Sequence, residues 1–120
     1  MSVIMLIDDD ESICKICRLV LERKEYTVYT FETVPETIDN VRKVKPDLII
    51  SDFNLPDYSN GVDLVEDIRE KILKNPDLPA FIITGNPVDN KQIIKKAGFK
   101  MLAKPFNPEQ LLRLVSKLLK

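Results

Sequence analysis

The sequence predicts an α/β domain in which a mostly parallel sheet carries helices on both faces. Apolar, β-rich runs alternate with amphipathic helical segments five times along the chain, with no low-complexity stretch or long repeat. The first, third and fourth runs are almost continuously apolar, which implies strands buried on both faces. Four of the runs lead directly into an acid, a hydroxyl or an ammonium group. Right-handed crossovers would gather every strand-to-helix loop at one rim, where open α/β sheets bind their ligands.

Val3-Ile4-Met5-Leu6-Ile7 reads as the first strand and is closed by Asp8 and Asp9. The first helix is expected from about Glu11 to Lys24, with Ile13, Ile16, Cys17, Val20 and Leu21 at core spacing. Thr27 to Phe31 forms a second strand whose Thr and Tyr content suits an edge. Pro35 fits the first turn of a second helix that turns Ile38, Val41 and Val44 inward, and Pro46 ends it. Leu48-Ile49-Ile50-Ser51 leads into Asp52 as the third strand.

A third helix follows Gly61 on a stripe of Val62, Val65, Ile68 and Ile72. Asn75-Pro76 and Pro79 bracket the turn into the fourth strand, Phe81-Ile82-Ile83, which ends at Thr84. A short polar helix from about Val88 to Lys96 stops at Gly98, a residue suited to the position after a helix. Phe99 to Ala103 is the fifth strand, followed by Lys104. Asn107 can cap the last helix, with Pro108 in its first position and Gln110 completing a capping box. Leu111, Leu112, Leu114, Val115, Leu118 and Leu119 supply its apolar face.

At 120 residues and 44% hydrophobic content the chain suits one domain, spanning residues 1–120. Its 18 basic residues nearly cancel its 19 acidic ones, which argues against binding nucleic acid or a membrane surface by bulk charge. No run is long enough to span a membrane, and the first strand lacks the basic flank of a signal peptide. With no histidine, Ser-His and Cys-His dyads, histidine metal sites and phosphohistidine on this chain are all excluded. Cys14 and Cys17 lie a turn inside the first helix, where a thioredoxin-like pair would open it, and zinc lacks further ligands. Cys17 is expected in the core and Cys14 near the helix edge. Reduced thiols suit a cytoplasmic protein.

Carboxylates about 4 Å apart repel by roughly 4 kcal/mol per pair at an effective dielectric near 20. Asp8, Asp9 and Asp52 together therefore call for a cation. Hard oxygen ligands without histidine favour magnesium or manganese, which leave coordination positions open for phosphate oxygens. Any one of these residues is weak evidence. The set Asp8-Asp9, Asp52, Thr84 and Lys104, at successive strand ends, specifies a divalent cation beside a phosphoryl group.

Here the chain resembles the receiver domains of two-component response regulators, over essentially its whole length. The motifs are Ile7-Asp8-Asp9, Ile49 through Pro56 around Asp52, Ile83-Thr84-Gly85 and Lys104-Pro105-Phe106. The resemblance implies a flavodoxin-like doubly wound (βα)5 fold with strand order 2-1-3-4-5. It implies that Asp52 accepts a phosphoryl group from a phosphohistidine on a sensor histidine kinase or phosphotransfer protein. Magnesium would be held by Asp9, by Asp8 largely through water, by Asp52 and by the Asn54 carbonyl. Thr84 and Lys104 would each bind a phosphoryl oxygen, and Gly85 would leave the group room. The Lys104-Pro105 step would be cis. A downstream output protein or domain would read the change. The protein would catalyse only its own phosphorylation and dephosphorylation, and so would not be an enzyme in the usual sense.

Departures from the family pattern concern the signal's route outward. Met101 stands where an aromatic switch residue is usual, three residues before the lysine. The loop from Pro56 to Gly61 is one residue longer than common and carries Tyr58, expected as an exposed aromatic. The segment from Thr84 to Lys104 is about two residues short, thinning the fourth helix. These 120 residues leave no space for an output domain, as expected of either a stand-alone receiver or a piece of a longer protein.

The main alternative is a receiver-like interaction module that is not phosphorylated. A flavin binder of the same topology would want a hydroxyl- or glycine-rich loop in place of the acids after the first strand. A phosphatase using Asp8 and Asp10 has the right spacing but no room for a cap domain.

Overall fold

All five apolar runs form strands, and all five intervening segments form helices. The computed structural model describes every residue from Met1 to Lys120. In chain order the elements are β1 (Val3–Ile7), α1 (Glu11–Glu22), β2 (Thr27–Phe31), α2 (Val34–Val44) and β3 (Leu48–Asp52). They continue with α3 (Gly61–Asp67), β4 (Ala80–Thr84), α4 (Pro87–Lys96), β5 (Lys100–Ala103) and α5 (Pro108–Leu118). The strands make one parallel sheet of order β2-β1-β3-β4-β5, so the fold is the flavodoxin-like arrangement.

Two apolar cores lie on opposite faces of the sheet, as alternation along buried strands requires. Met5, Ile7, Ile49 and Ile82 pack under α2, α3 and α4 with Val41, Val65, Ile68 and Ile94. Ile4, Leu6, Ile50, Phe81 and Ile83 pack under α1 and α5 with Cys17, Leu21, Leu111 and Val115. Reversal of strand order between β1 and β3 makes the crevice at their carboxyl ends the topological switch point.

Local chemistry explains the helix ends. Asp10 caps α1 through bonds from the Ser12 and Ile13 N–H groups. That role engages the second aspartate of the Asp8/Asp10 spacing. Gly98, at φ +87°, closes α4 in a Schellman turn, with its N–H on Lys95 O and the Phe99 N–H on Ile94 O. Asn107 and Gln110 form the expected capping box.

Several expectations need correction. Helix α1 stops at Glu22, and the chain turns through Glu25 at φ 67°. Ile16 is 50% exposed, whereas Cys14 is buried and donates its thiol proton to the Asp8 carbonyl at 3.3 Å. The inward stripe of α1 is rotated toward Cys14, Cys17 and Leu21, where the helix packs against β2 and α5. On α2 Val41 is buried as expected, but Thr37 is buried in place of Ile38, which faces solvent; the Thr37 hydroxyl donates to the Thr33 carbonyl at 2.8 Å. After Asp67, α3 relaxes into a π-helical turn over Ile68–Ile72, with Leu73 N–H on Ile68 O. Tyr58 is half-buried; its hydroxyl donates to Asp67 and its ring packs against the α2–α4 core.

Candidate functional site

The sheet's own hydrogen-bond ladder sets the rim residues in place. Beyond the ends of the strands it continues for one more rung: Asp8 N–H on Phe31 O, Phe53 N–H on Ile83 O and Lys104 N–H on Thr84 O, at 2.8–3.1 Å. Asp8 and Lys104 thus hang directly on a neighbouring strand, and the residue after Asp52 does the same. The third helix is drawn in as closely as a backbone permits. A Cβ on Gly61 would lie 2.0 Å from the Asp52 carbonyl oxygen, and its N–H donates to Phe53 O at 2.7 Å. Glycine here is a close-approach requirement.

Asp8 and Asp52 are buried, Asp9 is exposed, and carboxylate oxygens of all three lie within 4.8 Å of one another. Lys104 reaches both buried acids, its Nζ 3.0 Å from Asp8 Oδ2 and 3.4 Å from Asp52 Oδ1. The Asp8 contact is a charge pair without hydrogen-bond alignment, so Oδ2 stays without a directed donor. Its Oδ1 accepts from the Asp10 N–H at 2.9 Å. A cleft of about 280 Å³, lined by Asp9, Asp52, Asn54, Leu55, Pro56 and Ser59, opens beside them.

One ammonium cannot neutralise three carboxylates, and the electrostatics of the group follow from that imbalance. Burial, then the charge of Asp8, push the Asp52 carboxyl up to about 6 against the pull of Lys104. Burial likewise raises Asp8, opposed by the Asp10 N–H bond and by Lys104. Burial pulls the Lys104 ammonium down, but Asp8 and Asp52 outweigh it and hold its pKa above the ordinary lysine value. At neutral pH Asp52 is ionised and held in an unfavourable field.

The donor set fits a hard divalent cation. It offers clustered carboxylates, a buried Asp8 oxygen lacking a directed donor, and Asn54 in the same cleft. The thiols do not compete: burial, with the charge of Asp8 adding to it, pushes both Cys14 and Cys17 up to about 12.

Thr84 behaves differently. It is fully buried, and its Oγ1 accepts from the Asn86 N–H at 3.0 Å and from Asn90 Nδ2 at 2.8 Å. By the pleat of its strand it falls in phase with Ala80 and Ile82, on the α2–α4 face, whereas Asp52 falls in phase with Leu48 and Ile50 on the opposite face. The two are neighbours along the rim, but in this structure Thr84 is tied to α4. Gly85 leaves open space, since a Cβ there would meet nothing within 4 Å. The Lys104–Pro105 peptide is cis. Met101 is half-buried and packs against the α2–α4 core.

Comparison with known proteins agrees with this arrangement. The response regulator receiver domain family matches residues 4–116. The chain belongs to the receiver-domain family of two-component response regulators. It is 29% identical over 119 residues to the transcriptional regulatory protein CreB of Escherichia coli, covering 98% of this chain and 50% of that one. It is 29% identical over 113 residues to the C4-dicarboxylate transport transcriptional regulatory protein DctD of Rhizobium meliloti, covering 92% and 24%. The receiver therefore spans half or less of the length of these two regulators. Among solved structures, chemotaxis protein CheY4 of Vibrio cholerae superposes with a TM-score of 0.86 at 30% identity, covering 98% of both chains. A putative response regulator from Chloroflexus aurantiacus gives 0.87 at 29% identity, covering 98% and 97%.

Sequence reasoning named Asp8, Asp9, Asp52, Asn54, Thr84 and Lys104. The structure clusters the three aspartates, pairs Lys104 with Asp8 and Asp52, sets Asn54 in their cleft, and ties Thr84 to Asn90 on α4. It adds two residues that the sequence left unmarked as parts of the site. Gly61 was a helix start only, though a glycine nine residues after Asp52 was the signal. Asn90 was one polar residue among many on a polar helix.

Proposed function

We propose that this receiver is a phosphorylation-activated switch in which Asp52 accepts a phosphoryl group from a phosphohistidine of a sensor histidine kinase or phosphotransfer protein. The under-neutralised cluster of Asp8, Asp9 and Asp52 against one lysine carries the reading. Asp52 is ionised at neutral pH and so is available as a carboxylate nucleophile. One carboxylate oxygen would form the bond to phosphorus as the P–N bond breaks and the imidazole departs with the electron pair. Lys104, already at Asp52, would meet the charge on the transferred group.

Asp8, Asp9, Asp52 and the Asn54 carbonyl would hold magnesium or manganese, which when bound neutralises phosphoryl oxygens. The acyl phosphate carries about −1.5 to −2 charges where the carboxylate carried one, enough to redraw the local field. The chain's chemistry ends with its own phosphorylation and hydrolysis, and a downstream output protein or domain reads the result. Two free buried thiols suit the cytoplasm, and no helix is long and apolar enough to cross a membrane.

Incubation with acetyl phosphate and magnesium should add one phosphoryl group by intact-mass spectrometry, and Asp52→Asn should abolish it. An unmodified wild type, or equal labelling of the variant, would sink this reading in favour of an unphosphorylated interaction module.

A further inference from the structure

We propose that Asn90 is a positioning residue, a catch on α4 that holds the Thr84 hydroxyl away from Asp52 until a phosphoryl group draws it over. The inference rests on Asp52 as phosphoacceptor with Thr84 as a ligand of the phosphoryl group. A hydroxyl has two acceptor sites and one proton, and both acceptor sites of Thr84 are filled from the α4 side. One of those donors, the Asn86 N–H, comes from the loop backbone two residues on, and no substitution other than proline removes it. The other is a side-chain amide six residues away, anchored on a helix, and is a feature of this sequence.

Asn90 is itself fixed. Its backbone N–H donates to Asn86 O at 3.1 Å, within a helix opened by Pro87 and closed by the Gly98 turn. Its amide is therefore presented to Thr84 by a rigid element. The strand pleat aims the threonine toward that amide and away from the face on which Asp52 and Lys104 meet. Swinging Thr84 to the phosphoryl group breaks the Asn90 contact, so the bond opposes formation of the phosphorylated state. The path from Thr84 outward then runs into α4. Met101, on the neighbouring strand, has no hydroxyl with which to take part.

The test uses beryllofluoride with magnesium, a stable mimic of the aspartyl phosphate, titrated against the full chain and followed by NMR. Asn90→Ala, and the shape-conserving Asn90→Leu, should tighten beryllofluoride binding by about three- to tenfold, the range of one net hydrogen bond. In a Thr84→Ala background, which itself weakens binding, either Asn90 change should have no effect, because the partner through which it acts is gone. Unchanged or weaker binding by both Asn90 variants would overturn the proposal. So would an equal tightening with and without Thr84, which would assign Asn90 a merely structural role on α4. Failure of the wild type to bind while its fold is intact would overturn the phosphoacceptor reading itself, a result distinct from either.

Discussion

The two halves of the rim are built on opposite principles. At the ends of β1 and β3 three carboxylates share one lysine, and a buried oxygen of Asp8 lacks a directed donor. At the end of β4, Thr84 is neutral, fully buried and bonded twice. The first half is poised, because a cation would relieve its imbalance. The second is at rest, and has to give something up before it takes part. Strain on one side and satisfaction on the other mean that removing a carboxylate from the first half and the hydroxyl from the second should change stability in opposite directions.

The largest effect is expected where the charged half touches the backbone. Gly61→Ala forces a methyl against the Asp52 carbonyl and should cost about 3 kcal/mol by urea denaturation, the upper part of the range for overpacking. A near-neutral result would mean that α3 can retreat from the site. Lys104→Met removes the only cation facing Asp8 and Asp52 and should destabilise the metal-free fold by about 2 kcal/mol. That is less than for a fully buried pair, because Lys104 is partly exposed.

Asp52→Asn should act the other way. It leaves Lys104 to Asp8 and removes one repelling charge, so the metal-free protein should melt several degrees higher, roughly 3–6 °C per kcal/mol for a domain of this size. The pH dependence has a definite sign. The folded-state pKa of Asp52 lies above its ordinary value of 3.8, at about 6, so the folded chain holds that proton more tightly than the unfolded one. Stability from this group is present below pH 4 and is lost as pH rises through 6. The melting-temperature gap between Asp52→Asn and wild type should therefore widen between pH 4 and 7, and millimolar magnesium should narrow it by stabilising the wild type. A gap insensitive to both would break the picture of a strained half. The smallest effect belongs to Thr84→Val, which strands the Asn86 and Asn90 donors and should destabilise by about 1 kcal/mol, with no response to magnesium.

The same contrast explains what the sequence could reveal. Strand ends and charged residues were legible because a continuous apolar run that stops at an acid defines both a buried strand and its rim. Helix caps at Asn107 and Gly98 were legible because their chemistry is local. Helix faces were less so: Ile16 and Ile38 fit an inward stripe as well as Cys14 and Thr37 did. Only the tilt of each helix on the sheet decides which are covered. Thr84 was recognised as a site residue but its partner was not, since a six-residue reach from a strand end into a helix leaves no periodic trace. The π-helical turn after Asp67 was equally silent, because it comes from how α3 meets the turn toward β4 and not from any one residue.

The thiol of Cys14 has a consequence of its own. It is anchored on the carbonyl of Asp8, beneath α1, and neither it nor Cys17 ionises readily. Alkylating reagents can therefore reach the fully buried Cys17 sulfur only when α1 lifts from the sheet, as local opening allows. Cys17 is a native clock for that motion, one helical turn beyond the Cys14 thiol that is anchored on Asp8. Whatever ties Asp8 down from the front should slow it.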